Sequence, residues 1–225
     1  MVSEALIRLW PAAGVSARAG DLELRWIDDE LLVQLAELAA RGVHDEAAMP
    51  FYTAWTRGTP EQVARSVLAY QWSIRSRIAA RGPFSLELAV LVDGVVVGSQ
   101  GAGGADWTVL KSVETGSWLG REHQGRGIGT RMRALMLHLL FEGLGADEVT
   151  SGAFADNAAS NAVSVKTGYL PDGVDRRARE GVAAVVNRYR MPRATWLEVR
   201  ERNATLLGAP VVLAGVDALA SALAH

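Results

Sequence analysis

The middle of the chain combines a hairpin pattern with a strand–helix–strand pattern, and this combination restricts the fold more than any other feature. Two runs rich in Leu and Val, residues 86–92 and 95–99, flank the dipeptide Asp93-Gly94. A two-residue Asp-Gly connection between such runs is typical of a tight antiparallel hairpin. The pattern therefore predicts at least one antiparallel pair of neighbouring strands.

A second group of patterns follows the hairpin and requires a different connection. Strands are predicted at residues 111–119 and 147–154, with an amphipathic helix at residues 130–142 between them. Parallel neighbours need a crossover connection of this kind. The sequence therefore predicts an α+β fold with a mixed, mostly antiparallel central sheet that is flanked by helices.

Other elements carry clear start and stop signals. The segment Thr59-Pro60-Glu61 starts a helix, because Pro suits the first helical position, and we expect that helix to run to about Ala80. The remaining expectations are a helix over residues 28–40, a glycine-rich bend at 101–104, a short helix over 158–167 that Gly168 closes, and a strand over 182–191.

Composition excludes several classes of protein. The chain has no Cys, which removes disulfides, thiolate metal sites and a cysteine nucleophile. Its net charge of -2 argues against nucleic acid or anionic lipid as the main partner. The most apolar stretch, residues 206–223, contains Gly208 and Pro210, and the N-terminus lacks the features of a signal peptide. We expect a cytoplasmic protein with no membrane partner and, since no two His stand at ligand spacing, no metal.

The segment from Gln124 to Thr130 lies between a predicted strand and a predicted helix and favours anion binding. The first amides of a helix have no internal partners, and the helix dipole makes that end positive. Glycines allow the backbone to approach a ligand closely, and Arg126 adds a positive charge. The segment lacks the Gly-Lys-Ser/Thr of a nucleoside-triphosphate loop and the glycine spacing of a dinucleotide loop. A glycine-rich turn without a ligand stays open as the alternative.

Three segments resemble the GNAT superfamily of N-acetyltransferases, in the branch of the ribosomal-protein N-terminal acetyltransferases. The first is Gln124-x-x-Gly127-x-Gly129, similar to the acetyl-CoA pyrophosphate loop. The others are Glu114-Thr115-Gly116-Ser117-Trp118-Leu119, and Asn157-Ala158-Ala159-Ser160 followed by Lys166-Thr167-Gly168-Tyr169. The resemblance covers roughly residues 21–196. It suggests an acetyltransferase domain at 21–202, with an extension at 1–20 and another at 203–225 that packs on the domain or a partner.

The resemblance implies how acetyl-CoA would be held. The strands at residues 114–119 and 149–154 would splay apart, the pantetheine arm would lie in the gap, and a bulge near residues 116–118 would aim one N–H at the thioester. The implied cofactor-binding residues are Trp118, Leu119, Gln124, Gly125, Arg126, Gly127, Ile128, Gly129, Thr130, Asn157 and Ser160.

Three residues are candidates for catalysis. Ser160 is the first candidate to protonate the CoA sulfur, although a Ser near a helix start is equally often an N-cap. Ser164, one turn further on, stands where many superfamily members carry a tyrosine for that task. Glu114 is the candidate base, provided that burial raises its pKa; a strand-surface carboxylate is the alternative. Asn157 would contact the pantetheine or the acceptor, or be an ordinary turn residue.

The expected activity is transfer of an acetyl group from acetyl-CoA to a primary amine, by direct attack in a ternary complex. The acceptor stays open between a small molecule and a protein N-terminus. The loop of residues 43–58 is the candidate for acceptor specificity, because Phe51, Tyr52 and Trp55 would wall a pocket and Asp45 and Glu46 would attract a cation. The alternatives are a catalytically silent CoA-binding module and an interaction protein that docks through its C-terminal segment. A homodimer is compatible with that segment.

Overall fold

One open sheet organises the structure, and it contains a break between two of its central strands. The computed structural model describes residues 2–78 and 83–224. Within them nine strands form the sheet: β1 (Ser16–Ala19), β2 (Leu22–Trp26), β3 (Phe84–Val92), β4 (Val95–Gly104), β5 (Ser112–Leu119), β6 (Glu148–Phe154), β7 (Leu170–Arg179), β8 (Val182–Pro192) and β9 (Val212–Ala214). Their order is β7-β8-β6-β5-β4-β3-β2-β1-β9.

Helices cover both faces of this sheet. They are α1 (Glu4–Leu9), α2 (Asp29–Ala40), α3 (Pro60–Ile74), α4 (Trp107–Leu110), α5 (Ile128–His138), α6 (Ala158–Thr167), α7 (Arg193–Leu207) and α8 (Val216–Leu223). Of the described neighbours in the sheet, β5 and β6 pair in parallel and the others pair antiparallel. The predicted α+β fold with a mixed, mostly antiparallel sheet is therefore confirmed.

Alternation along the strands divides the apolar side chains between two cores. Leu86, Leu88 and Val90 of β3 belong to the larger core, which α5 and α7 cover. Ala89 and Leu91 of the same strand belong to a smaller core beneath α2 and α3. Successive side chains of a strand point to opposite faces, so a continuous apolar run is what a strand covered on both faces requires. We call the two sides of the sheet the α5 face and the α2–α3 face.

The β3–β4 hairpin forms as its turn residues predict. Asp93 and Gly94 both have positive φ, 50° and 78°, as the tight two-residue hairpin turn needs. Val90 pairs with Gly98 and Leu91 with Val96, so Val97 is an extra residue in β4. The bulge expected near residues 116–118 is not found in the described chain, because β4 and β5 pair without a register shift from Gly98↔Leu119 to Gly103↔Glu114.

Three expected boundaries were wrong. The bend at residues 101–104 is the end of β4, because pairing with β3 and β5 outweighs the low strand propensity of Gly. The helix that was expected to reach Ala80 ends at Ile74, where the Arg75 guanidinium bonds to Asp29 and to the Ile27 carbonyl oxygen. Residues 79–82 lie outside the described residues. The helix expected over 130–142 begins two residues earlier and changes to a π-helical turn at Leu139–Gly143.

Both ends of the chain join the same sheet. β1 pairs with β2 on one side and with β9 on the other. In α8, Val216, Leu219 and Leu223 are buried in the larger core together with Ala12 and Ala13. The C-terminal apolar stripe thus packs on this chain. The proposed division into segments 1–20, 21–202 and 203–225 stays a prediction.

Candidate active site

The site lies where β5 and β6 separate. These strands pair from Ser112↔Glu148 to Thr115↔Ser151, and pairing between their described residues stops there. β5 stays paired with β4 as far as Leu119, and β6 stays paired with β8 as far as Phe154. The edges of residues 116–119 and 152–154 therefore face each other across a widening gap, as the resemblance implied. We call Thr115 and Ser151 the vertex of this gap.

The glycine loop stands at the open end of the gap. Helix α5 begins at Ile128, and its N-cap Gly127 has φ 77°, a left-handed conformation that favours Gly. In the described structure no side chain caps this end of α5. A Cβ added to Gly125 or Gly127 would meet no described atom within 4 Å. An uncapped helix N-terminus with free space before its first amides is suited to an anion such as a phosphate.

The other residues of the loop hold it in place. The Gln124 Nε2 amide donates to the Val43 carbonyl oxygen at 2.6 Å and to the Leu119 carbonyl oxygen at 2.9 Å. Gln124 thereby ties the loop to β5 and to the segment after α2. A Cβ on Gly129 would lie 3.6 Å from Val163 of α6 and 3.9 Å from Leu119, which are ordinary van der Waals contacts, so Gly129 lies at the contact of α5 with α6 and β5.

Three further implied cofactor residues differ in their exposure and in the contacts that they make. Arg126 is exposed, whereas Ile128 is buried and anchors the first turn of α5. Thr130 donates its backbone N–H to the Gly127 carbonyl oxygen, which tightens that turn.

The face on which each β5 side chain lies follows the strand alternation. The Trp118 ring packs against Trp55 at 5.7 Å between centroids, on the α2–α3 face. Leu119 is 8% exposed and belongs to the larger core on the α5 face. Thr115 Oγ1 is 3.0 Å from the Tyr169 hydroxyl oxygen, also on the α5 face. The two faces of β5 therefore meet different helices and offer different chemistry.

Asn157, and not Ser160, is the N-cap of α6. The Asn157 Oδ1 accepts a hydrogen bond from the Ser160 backbone N–H at 3.1 Å. Ser160 is the third residue of α6 and is half-buried. Because the N-cap is Asn157, the interpretation of Ser160 as the N-cap was wrong. Its hydroxyl is thus not required for capping.

Ser164 is fully buried at the vertex. Its hydroxyl donates to the Ser151 Oγ at 3.5 Å. The two serines link α6 to Ser151, the last residue of β6 that pairs with β5.

A buried arginine lies beside the vertex on the α5 face of the sheet. Arg133 of α5 is 3% exposed, and its guanidinium donates to the Gln100 Oε1 at 3.3 Å, to the Ser151 Oγ at 3.1 Å and to the Ser117 Oγ at 3.3 Å. It also lies 6.0 Å from the centre of the Tyr169 ring. Arg133 was not among the site residues predicted from the sequence. The signal for it was a cation between Met132 and Ala134, on the apolar stripe of a helix.

On the α2–α3 face, Glu114 and Tyr52 border the gap. A Cβ on Gly152 would overlap the Tyr52 hydroxyl, and the Glu114 Oε1 would lie 3.5 Å from that Cβ. Burial raises the pKa of Tyr52, and the negative charge of Glu114 raises it further. Glu114 itself is exposed, so it lacks the burial that its role as a base was expected to need.

A second carboxylate, Glu87 of β3, lies on the same face. Its oxygens accept hydrogen bonds from the Tyr70 hydroxyl and from the Ser99 hydroxyl, each at 3.2 Å. Burial raises the pKa of Glu87 to about 7, although the bonds from Ser99 and Tyr70 lower it. Glu87 was also not among the site residues predicted from the sequence. The signal was a single acidic residue within the apolar run of β3.

The Glu87 carboxylate is directed across the sheet toward the gap. Glu87 pairs with Gly101, and Gly101 pairs with Gly116. A Cβ on Gly101 would overlap this carboxylate, whereas a Cβ on Gly116 would meet no described atom within 4 Å. Neighbouring strands are ~4.8 Å apart, so the carboxylate lies about one strand spacing from the open space above Gly116.

The loop of residues 43–58 covers part of the same face, and its side chains divide between the smaller core and the gap. Phe51 and Trp55 pack against the smaller core and against each other at 5.0 Å between centroids. Tyr52 instead contacts Phe154 at 5.5 Å and borders the gap. Asp45 forms an ion pair with Arg121. Of the residues named here that were expected to form an acceptor pocket, Tyr52 therefore borders the gap directly.

Together these features suit acetyl-CoA. The uncapped end of α5 can take the diphosphate, and the gap can take the pantetheine arm against unpaired backbone edges. An open sheet split between two parallel strands, with an uncapped helix N-terminus at the mouth of the split, is the arrangement expected of CoA-dependent acyltransferases.

Comparison with known families agrees with this class. Residues 21–170 match the family described as "Acetyltransferase (GNAT) domain". Because the match covers more than half of the chain, the chain belongs to the GNAT acetyltransferases. The expectation that it is an acetyltransferase enzyme is confirmed.

Solved structures of low sequence identity share the fold. A GCN5-related N-acetyltransferase from Brucella melitensis is 16% identical, with a TM-score of 0.64 over 85% of this chain and 85% of that one. Mycobacterium smegmatis RimJ, solved with CoA-disulfide, is 19% identical, with a TM-score of 0.64 over 87% and 93%. A Salmonella typhimurium acetyl transferase that modifies the N-terminal serine of ribosomal protein L7/L12 is 20% identical, with a TM-score of 0.60 over 77% and 96%.

Two further observations concern the described residues only. None of their helices combines the length and the apolar character that a membrane span needs. Across residues 2–78 and 83–224, no cluster of three or more His, Asp or Glu side chains is arranged to hold a metal ion.

Proposed function

We propose that this chain transfers an acetyl group from acetyl-CoA to a primary amine, by direct attack in a ternary complex. One observation carries the proposal: the unpaired gap between β5 and β6 opens toward the uncapped N-terminus of α5. A diphosphate at that helix end would leave the pantetheine arm to run into the gap. An acyl group longer than acetyl is the alternative donor group.

The chain would hold acetyl-CoA mainly through backbone groups. The loop of Gly125, Arg126, Gly127, Ile128, Gly129 and Thr130 would surround the diphosphate, with Gln124 fixing its position. Trp118 and Leu119 would supply one edge of the gap. Asn157 and Ser160, at the start of α6, would contact the pantetheine arm near its thioester end.

Acetyl-CoA supplies an activated acyl carbon. Transfer forms a C–N bond and breaks the C–S bond, and the electron pair of the broken bond stays on sulfur. The amine loses one proton. The chain must therefore accept a proton on one side of the gap and stabilise sulfur on the other. Glu87 is placed to accept the amine proton, directly or through a water molecule above Gly116. Glu114, our first candidate from sequence, lies closer to the gap but is exposed.

The leaving sulfur would meet α6 on the opposite face of the sheet. Ser160 remains the proposed proton donor, because its hydroxyl is not used in capping the helix. Ser164 is the lesser candidate, since its hydroxyl is fully buried and already directed at Ser151.

A protein N-terminus is the acceptor that the related structures favour, because the Salmonella enzyme modifies the N-terminal serine of a ribosomal protein. The α2–α3 face beside Tyr52 and Glu114 is where such an acceptor would enter. A small amine is the alternative. A panel of N-terminal peptides and small amines, assayed by thiol release, distinguishes the two, and a silent CoA-binding module would bind CoA without releasing thiol on any of them.

Blocking the glycine loop should weaken acetyl-CoA binding. Val at position 127 puts a branched side chain where phosphate oxygens would lie, so Gly127→Val should lower the affinity at least about tenfold, or ~1.4 kcal/mol. Calorimetric titration with acetyl-CoA measures this change.

Gly145→Val is the matched control for backbone strain. Gly145 has φ 73°, close to the 77° of Gly127, and its Cβ would also meet no described atom within 4 Å. Both variants should lose similar stability, roughly 1–2 kcal/mol, but Gly145→Val should keep its affinity. Equal affinities in folded Gly127→Val and wild type would refute the assignment of this loop.

A further inference from the structure

The Arg133 guanidinium is a buried cation with neutral partners. Its three hydrogen bonds go to one amide and two hydroxyl groups, those of Gln100, Ser151 and Ser117. Among the described residues no carboxylate forms an ion pair with it. Burying a lone charge costs several kcal/mol unless an opposite charge or enough hydrogen bonds compensate. Three hydrogen bonds and the Tyr169 ring stabilise this cation without neutralising it, so its charge remains available to a negative charge that arises beside it.

Arg133 is placed at the vertex, where that charge would come from the thioester. Its hydrogen bonds reach β5 through Ser117 and β6 through Ser151, so it spans the two strands that separate. It stands six residues after Gly127, or ~9 Å along the helix axis from the diphosphate loop. The gap runs from that loop toward the vertex, so with the diphosphate at the loop the far end of the pantetheine arm would lie near Arg133.

The guanidinium also has donors to spare. Arg carries five N–H groups, and three of them bond to described partners. Ser151 links it to Ser164, whose hydroxyl donates to the same Ser151 oxygen. Among the described residues around the vertex, the titratable groups on the α5 face include Tyr169 and Tyr189. Those on the α2–α3 face include Glu114, Tyr52, Asp175, Arg177 and Arg188.

We infer that Arg133 is a further catalytic residue, one that stabilises the negative charge on the CoA sulfur as the C–S bond breaks. The electron pair of that bond stays on sulfur, the acetyl carbon passes to the amine nitrogen, and sulfur then takes up one proton to give the free thiol. A fixed cation beside sulfur favours the charged leaving group over the uncharged thioester. This inference rests on the proposed use of acetyl-CoA.

The test needs no acceptor, because free CoA carries the same sulfur. The ultraviolet absorbance of the thiolate gives the pKa of the CoA thiol in complex with the full-length protein between pH 6 and 9. In wild type we expect this pKa about one to three units below its value in Arg133→Gln. The affinity for CoA should rise with pH relative to the affinity for desulfo-CoA, which lacks the sulfur.

Control variants separate this role from a structural one. Arg131→Gln removes a cation two residues away that pairs with Asp21 at the surface, and it should leave the thiol pKa unchanged. Arg133→Lys keeps the charge with fewer donors and should retain part of the shift. If Arg133→Gln does not fold, the comparison of CoA with desulfo-CoA in wild type decides. Equal pH dependence of the two affinities overturns the inference, whereas failure of both ligands to bind overturns the proposed use of CoA instead.

Discussion

Glu87→Gln should lower kcat/KM at neutral pH by about a hundredfold, with little change in acetyl-CoA affinity. Gln keeps the shape of the side chain and one oxygen that accepts a bond from Tyr70 or Ser99, while its NH2 group donates to the other hydroxyl, but it cannot accept a proton. In wild type the carboxyl ionises near pH 7, because burial raises its pKa to about 7. The rate should therefore rise with pH through an acidic limb centred near 7. The variant should lose that limb.

The measurement is a pH–rate profile of thiol release, with an amine whose own pKa lies well above 8. Such an amine gives every variant the same slope over the range, so the limb that belongs to the carboxyl stands out. Glu114→Gln is measured in parallel, and its profile should retain the limb near pH 7. Glu23→Gln, on the neighbouring strand β2 where Glu23 pairs with Leu91, is the matched control. Loss of the limb in Glu114→Gln alone would transfer the role of base to Glu114.

The stability of the same variants provides a check that does not depend on activity. The folded chain holds the Glu87 proton more tightly than the unfolded chain, because the pKa is raised from its ordinary value of 4.5. The free energy of unfolding should therefore fall as pH rises from about 4.5 to about 7 and level off above. Glu87→Gln should remove this decrease, which is on the order of 1–3 kcal/mol. Urea denaturation at pH 5 and pH 8 measures the effect.

Ser160→Ala should lower kcat by about tenfold to a thousandfold if Ser160 protonates the leaving sulfur. Binding of acetyl-CoA should change little, since the backbone N–H of residue 160 still donates to Asn157. Stability should also hold, because Asn157 provides the cap. Single-turnover kinetics, calorimetry and thermal unfolding on one preparation measure the three quantities.

Ser164→Ala is the companion variant for this test. Ser164 is 0% exposed and its hydroxyl donates to Ser151, so its replacement should alter packing and the network around Arg133. Asn157→Ala is the control for capping, with an expected loss of about 1 kcal/mol. A full kcat in Ser160→Ala together with a large loss in Ser164→Ala would assign the proton transfer to Ser164 instead.

Local patterns in the sequence predicted the parts of the fold that local physics determines. The Asp93-Gly94 turn, the Pro60 helix start and the Gly168 cap each depend on the φ that one or two residues prefer. Propensity misjudged residues 101–104, whose glycines continue a strand because both neighbours pair with it. Strand β7 was missed, since mostly polar and charged residues such as Asp175, Arg176 and Arg177 do not alternate with apolar ones.

The candidate site divides in the same way. The glycine loop was predictable, because a helix start, glycines and a cation stand together in the chain. The group around Arg133 was not, since Gln100, Ser117 and Ser151 come from three strands that only the sheet brings together. Sequence spacing also could not show which of Asn157 and Ser160 caps α6.

By itself, then, the sequence determined the class of fold, the family and the position of the glycine loop before α5, because each depends on residues that are neighbours in the chain. The tertiary structure alone decided which side chains meet at the vertex of the gap and which are buried. It placed Glu87 beside open space above Gly116, left Glu114 exposed, and buried Arg133 without an ion pair among the described residues. Burial and electrostatic environment arise from packing between distant segments, and these are the quantities that set the proton affinity and charge stabilisation of a catalytic group.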